Sequence, residues 1–304
     1  MQKIRIATRK SLLALWQSEH AAESLRRAHP DVDVELVPLS TRGDEVLDRS
    51  LSEIGGKGVF LKELERAILD HEADIAVHSL KDVPAESPPE FELVAYLPGG
   101  DWGDWWITRD GRSPADLPAG SRVGTSSLRR QSQLLAQYPE LDIVPVRGNV
   151  QTRLGKLDDG EVDALILAAA GLRRLEIERE HWQPLQPPEF LPAPGQGVIV
   201  VQCRRGDETT RKLVESLNCP HTTRRVLAER AVVHELGGDC RMPLAALAEV
   251  DGDQIKLHAR LASPDGREII DAHTQGHVDE ADKLGRKAAQ VIINGGGMRL
   301  LSQI

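Results

Sequence analysis

Hydrophobic positions along the chain change period repeatedly, and each change marks a candidate element. "MQKIRIATRK" (1–10) reads as a strand from the outset, with Lys3, Arg5 and Arg9 interrupting any apolar run. "FLKELERAIL" (60–69) and "VQTRLGKL" (150–157) instead carry apolar residues at helical spacing. Each leads into a buried-looking strand, "DHEADIAVHSL" (70–80) and "DGEVDALILAA" (159–169). These two segments echo one another, with an acid, a Glu two residues on and an Asp two further. The echo predicts two α/β lobes of similar build, with strands feeding loops that open onto helices.

From 243 to 293 the pattern differs. "PLAALAEV", "QIKLHARL" and "REIIDAHTQG" alternate as strands, joined by Asp251-Gly252 and by Pro264-Asp265-Gly266, both hairpin signals. A helix is expected from about Asp279 to Ile293, ended by Gly295 to Gly297. The predicted fold is α/β: two lobes followed by a small C-terminal α+β domain with a three-stranded antiparallel sheet. Turn-rich stretches at Pro98–Gly103 and Pro187–Pro194 set the expected divisions. These give a first lobe over 1–97, a second over 98–197, a return to the first over 198–216, and the C-terminal domain over 217–304.

The 304 residues suffice for several domains with buried cores. A net charge of −9 argues against a generic nucleic-acid binder, so local arginine clusters stand out. No segment approaches the roughly 20 apolar residues of a membrane span, and the start does not read as a signal peptide. Three cysteines, at 203, 219 and 240, form neither a disulfide framework nor a metal-ligand spacing. No metal site is expected, and the compartment is read as a reducing cytoplasm.

Four stretches carry candidate chemistry. In "RVGTSSLRRQSQLL" (122–135) a short strand ends at Val123, Gly124-Thr125-Ser126 turn the chain, and a helix begins near Ser127. Hydroxyls and free N–H groups at a helix start favour an anion. Arg129 and Arg130 in its first turn are unfavourable against the helix dipole unless an anion lies close; the alternative is a capped helix with solvated arginines. In "VPVRGNVQTRL" (144–154) Arg147 ends a strand, Asn149 caps a helix, and Arg153 lies one turn in. In "HSLKDVP" (78–84) a strand delivers Lys81 and Asp82 to a loop, where a surface pair competes with a catalytic carboxylate. In "ELGGDCRMPLA" (235–245) Cys240 sits in a glycine-rich turn rather than in an apolar element. The stretch from about Thr41 to Gly58, including "GGKG", reads as a lid or linker. Residues alone thus describe a two-lobed anion-binding cleft, in which Asp82 is the one carboxylate, with a third unit presenting a thiol.

The ordered set "ATRKSLLALWQ", "TRGD", "GGKGVFLKELE", "ADIAVHSLKDVP", "VGTSSLRRQ", "RGNVQTRL", "PGQG" and "AER…GGDCRMP" resembles the porphobilinogen deaminase family across almost the whole chain. The resemblance implies two lobes like those of type II periplasmic binding proteins. It also implies a transferase that deaminates four porphobilinogen molecules and joins them head to tail, releasing hydroxymethylbilane for haem biosynthesis. The primer is a dipyrromethane cofactor attached to Cys240. By the same resemblance Lys81, Thr125, Ser127, Arg129 and Arg130 hold the cofactor, Arg9, Ser11, Arg147, Arg153 and Gln196 hold substrate, and Asp82 is catalytic. A cytoplasmic monomer is expected, without nucleic-acid or membrane partners.

Two departures stand out. Where the family reads Arg-x-Asp-Pro-Arg-Asp-Ala, this chain has Gly99-Gly100-Asp101-Trp102-Gly103-Asp104-Trp105. Asp239 and Met242 flank the cysteine in place of smaller residues. A passive two-lobed binding protein is the competing class; it would need the arginines but neither Asp82 nor Cys240.

Overall fold

The computed structural model describes residues 2–41, 61–238 and 242–303. Up to Gly100 it contains β1 (Gln2–Arg9), α1 (Leu12–Ala28), β2 (Val32–Leu39), α2 (Lys62–Leu69), β3 (Ile75–Ser79) and β4 (Phe91–Tyr96). Next come β5 (Asp104–Thr108), β6 (Arg122–Gly124), α3 (Leu128–Gln137), β7 (Asp142–Val144), α4 (Val150–Asp158), β8 (Ala164–Ala168), α5 (Ala169–Arg174) and β9 (Trp182–Leu185). The remainder is β10 (Ile199–Arg204), α6 (Glu208–Glu215), α7 (Pro220–Glu235), β11 (Leu244–Asp251), β12 (Gln254–Ala262), β13 (Ile269–His277), α8 (Ala281–Asn294) and α9 (Gly297–Leu301). The chain divides into two compact units, Met1–Gly100 with Val198–Thr223, and Asp101–Gly197 with Arg224–Ile304.

The first unit is built on a sheet of order β2-β1-β3-β10-β4. β1 runs parallel to β2 and β3, whereas β10 runs antiparallel to both β3 and β4. Ile4, Ile6, Ile75, Val77 and Val201 bury one face against Ala21, Ala22 and Leu25 of α1. That helix starts at Ser11, whose hydroxyl accepts from the Ala14 amide, and ends on Arg26 and Arg27, cations suited to a helix C-terminus.

The second unit repeats the arrangement in a sheet of order β7-β6-β8-β5-β9, with β5 as the antiparallel insertion. The sequence echo has a structural cause. In each sheet the last Asp of the echo accepts a backbone N–H of the neighbouring strand: Arg5 N, within β1, to Asp74 Oδ2 and Arg122 N, at the start of β6, to Asp163 Oδ2, both at 2.8 Å. The helix before each echo ends in a left-handed residue, His71 (φ 57°) or Gly160 (φ 75°).

The expected C-terminal sheet is present as β11-β12-β13, antiparallel throughout. Ala228 and Val232 of α7 and Ala288 and Ile292 of α8 close its apolar face over Ala246 and Leu257. This sheet rests on the helix that carries the arginine pair. Gln131 Nε2 donates to Pro264 O at 3.1 Å, and Arg260 Nη1 to Glu189 O at 3.1 Å.

Two expectations are revised. β7 stops at Val144 rather than reaching Arg147, because Pro145 has no N–H to extend the ladder. The lid expected over Thr41–Gly58 lies, beyond Thr41, outside the described residues.

The contact between α3 and the C-terminal sheet is close enough to test. Gly266 has φ +73°, and a Cβ there would lie 2.4 Å from Ser132 O and 2.5 Å from the Ala136 N, both fixed in the helix backbone. Gly252, at φ +58°, has nothing within 4 Å. Gly266→Ala is expected to cost on the order of 3 kcal/mol and Gly252→Ala about 1 kcal/mol. Thermal unfolding of the two variants checks the ranking; equal shifts would show that the contact can relax.

Candidate functional site

Parallel neighbours bring the chemical groups of each unit to one end of its sheet. In the first unit the C-terminal ends of β1 and β3 lie side by side, with Ile6 opposite Ile75. Arg9 closes β1 and Ser11 caps α1. β3 passes into a short 3₁₀ turn over Leu80–Asp82, which presents Lys81 and Asp82, both half-buried. Gln17 Nε2 donates to Ser79 Oγ at 2.9 Å, and Leu80 N donates to Val198 O at 2.9 Å, so α1 and the start of β10 fix this turn.

Beneath it lies His78, which the sequence reading passed over. Its Nε2 faces Gln202 Oε1 at 2.9 Å, and Gln202 Nε2 donates to Glu65 Oε1 at 2.9 Å. The carboxylate acceptor orients the amide, and the amide oxygen places the imidazole proton on Nε2. Burial pushes the His78 pKa down to about 4; the Gln202 hydrogen bond and the Asp82 charge oppose this, and the Arg9 charge adds to it.

In the second unit β6 and β7 run parallel, with Gly124 opposite Val144. Thr125 is buried, and its hydroxyl accepts from Ser127 N at 3.2 Å. Ser127 is the N-cap of α3, as expected, with its hydroxyl accepting from Arg130 N. Asn149 caps α4, accepting from Thr152 N at 2.8 Å, and Arg153 Nε donates to Gly148 O at 2.8 Å. Gly148, at φ +108°, makes the turn that brings half-buried Arg147 to this helix start.

The arginine pair is not solvated. Arg129 and Arg130 are 3% and 6% exposed and share one carboxylate, Asp104 at the start of β5, itself 2% exposed. Arg129 Nη1 donates to Asp104 Oδ2 at 2.7 Å and to Leu191 O at 2.7 Å. Arg130 donates from Nε (3.0 Å) and Nη2 (2.7 Å) to Asp104 Oδ1, and from Nη1 to Ile166 O at 2.9 Å. Burial pushes the Arg129 guanidinium below the ordinary arginine range, with the Asp104 charge opposing. Asp82 is therefore not the only carboxylate among the candidate groups: Asp104 supplies part of the anion that first-turn arginines require. The signal that could have found it is its place in the Asp101–Asp104 segment, where it keeps an acid of the family pattern.

Gln196 joins the same cluster. Its Nε2 lies 2.7 Å from Trp102 O and 3.2 Å from Asp104 Oδ1, while its Oε1 is buried with no hydrogen-bond partner among the described residues. Arg225 Nη2 donates to Gln196 O at 3.1 Å, and buried Glu229 accepts from Gly195 N (2.6 Å) and Ala248 N (3.0 Å). The atypical tryptophans pack locally: Trp102 on Leu191, Ala245 and Leu247, and Trp105 edge-on to Trp182. Cys240, with Asp239 and Arg241, lies outside the described residues.

Two similarly wired α/β units, each with hydroxyls and cations where strands meet helices, define an α/β protein built from a repeated sheet-and-helix arrangement. A family model described as porphobilinogen deaminase, dipyromethane cofactor binding domain, matches residues 4–212, and one for the porphobilinogen deaminase C-terminal domain matches 223–294. A porphobilinogen deaminase of Xanthomonas axonopodis pv. citri is 50% identical over 304 residues, covering 100% of both chains. That of Stenotrophomonas maltophilia is 50% identical over 302 residues, covering 99% of this chain and 100% of its own. That of Bordetella parapertussis is 48% identical over 304 residues, covering 100% and 97%. The chain belongs to the porphobilinogen deaminase family. Among solved structures, the VFT2 domain of Bordetella pertussis BvgS aligns over 71% of this chain and 86% of its own, at 14% identity and TM-score 0.46. A probable amino-acid ABC transporter extracellular-binding protein from Bacillus subtilis aligns over 71% and 90%, at 12% identity and TM-score 0.44.

The His78 environment gives a pH signature. Its folded pKa is depressed from 6.5 to about 4, so between those values the unfolded chain binds a proton that the folded chain does not. Its contribution is present above pH 6.5 and lost as pH falls towards 4. At about 1.4 kcal/mol per unit the loss totals roughly 3 kcal/mol. Urea unfolding of the parent and of His78→Asn from pH 7 to pH 4 should show their stability difference shifting against the parent by about that amount. A difference that stays constant would mean that the ring titrates normally.

Proposed function

We propose that this chain is a transferase that removes ammonia from porphobilinogen and joins four units head to tail, releasing hydroxymethylbilane for haem biosynthesis. The observation carrying this reading is the family match along essentially the whole chain, at about half identity to full-length relatives. A cytoplasmic location is part of the same proposal, and no described helix is long and apolar enough to cross a membrane.

The residues present suit a dipyrromethane cofactor. Among the described residues two buried guanidiniums face one carboxylate, which leaves an excess positive charge that a second carboxylate would balance. Arg129 Nε and Gln196 Oε1 are buried without partners among the described residues, one a donor and the other an acceptor. A carboxylate of the cofactor matches the first, and a pyrrole N–H of porphobilinogen matches the second. We assign Thr125, Ser127, Arg129 and Arg130 in the second unit and Lys81 in the first to the cofactor. Each charged hydrogen bond contributes on the order of 1.5–3 kcal/mol. When bound, the dipyrromethane supplies the pyrrole carbon from which the product grows. Arg9, Ser11, Arg147, Arg153 and Gln196 are assigned to the acetate, propionate and N–H of porphobilinogen.

The attachment point is assigned to Cys240 through a thioether. Cys203 is fully buried in the first core, and burial pushes its thiol up to about 12, which suppresses the nucleophilic thiolate. Cys240→Ser should yield a folded protein whose intact mass lacks the adduct. Persistence of the full adduct mass would move the attachment to another cysteine.

Asp82 is assigned to the chemical step. As ammonia leaves the aminomethyl carbon, positive charge spreads over the pyrrole ring, and a fixed carboxylate beside its N–H stabilises that charge. Asp82→Asn keeps the shape and removes the charge. Ammonia release should fall on the order of 10²–10³-fold in kcat, with KM changed only a few-fold. Turnover within twofold of the parent would take Asp82 out of the reaction.

A further inference from the structure

Asp104 lies outside the set of residues expected to touch a ligand, yet it holds two that are in it. Its side chain is completely enclosed, and its two oxygens are divided between neighbouring guanidiniums. Oδ1 receives the Nε and Nη2 edge of Arg130, and Oδ2 receives Arg129 Nη1. A guanidinium held at one point can swing about its stem, whereas one held at two is fixed in plane. Arg130 is fixed by Asp104 along its Nε–Nη2 edge and by Ile166 O at Nη1, and Arg129 is anchored through Nη1, which donates to both Asp104 Oδ2 and Leu191 O. Because both depend on one carboxylate, neither can turn without disturbing the other. Gln196 Nε2 restrains Oδ1 from a third direction.

We infer that Asp104 is a positioning residue for the cofactor's carboxylates: it locks Arg129 and Arg130 into a preset pair while leaving one positive charge for the incoming anion. The inference rests on the assignment of those two arginines to the dipyrromethane. Its physical content is that one carboxylate is the right number. With none, two buried like charges would repel and lose their orientation; with two, the pair would be neutralised before ligand arrived.

The test is the fraction of purified chain carrying the covalent adduct, read by intact mass and counted only over protein folded by near-UV circular dichroism. Asp104→Asn and Arg130→Leu should both lose adduct about fivefold or more. Asp101→Asn, which breaks the exposed pair with Arg173 at 2.8 Å, should lose none. Asp104→Glu keeps the charge but shifts it by one methylene, and should show an intermediate fraction with parental melting. Parental adduct in Asp104→Asn beside loss in Arg130→Leu overturns the positioning role and leaves the arginine assignment standing. Loss in Asp104→Asn with parental adduct in Arg130→Leu also overturns it, because Asp104 would then act through something else. Parental adduct in both overturns the arginine assignment itself. If Asp104→Asn does not fold, Asp104→Glu decides: a reduced fraction supports the inference and a parental fraction overturns it.

Discussion

Two guanidiniums buried beside a single carboxylate, Arg129 and Arg130 on Asp104, form the interaction on which the second unit's architecture turns. Removing three charges from water costs several kcal/mol each, and attraction offsets that only where geometry is held and the other N–H groups find acceptors. The fold provides both. β5 enters its sheet antiparallel between β8 and β9, which brings Asp104 opposite the end of β8 at Ala168. The carbonyls of Ile166 and Leu191 then complete the hydrogen bonding from two other parts of the chain. Among the described residues one positive charge is left unbalanced in a water-poor place, where a charge acts far more strongly than it would at the surface.

The inserted antiparallel strand is also the principle that the two units share. β10 in the first and β5 in the second each separate the third and fourth strands of a sheet whose other strands are parallel. Parallel neighbours place their C-terminal ends together, so hydroxyl caps and cations collect there without any long loop. The first unit adds a carboxylate, Asp82, in the short turn that follows β3. Under it lies an imidazole that burial keeps uncharged and that the Gln202–Glu65 relay orients. A neutral His78 leaves the Asp82 charge uncompensated by a neighbouring imidazolium.

The departure at 99–105 shows how a local change is absorbed. Trp102 fills an apolar contact with Leu191, Ala245 and Leu247, and Asp101 engages Arg173 at the surface. Asp104, the acid that the arginine pair requires, is retained. The segment thus departs from the family pattern while keeping the acid that pairs with both arginines.

Much of this was legible in the residues. Periodicity and turn chemistry gave β1, β3, β6, β8, the three C-terminal strands with their two hairpins, and the Ser127 and Asn149 caps, because these depend on a few neighbouring residues. The echo between 70–80 and 159–169 announced two like units, because each Asp closes the same local hydrogen bond to an adjacent strand. Pairings between distant positions were not legible: Asp104 with Arg129 and Arg130, 25 and 26 residues away, and His78 with Gln202, 124 residues away. Sequence pattern records which groups are charged and which face is apolar. Whether an arginine is solvated or locked to a buried acid depends on which strand the chain inserts beside it, and only the tertiary structure decides that.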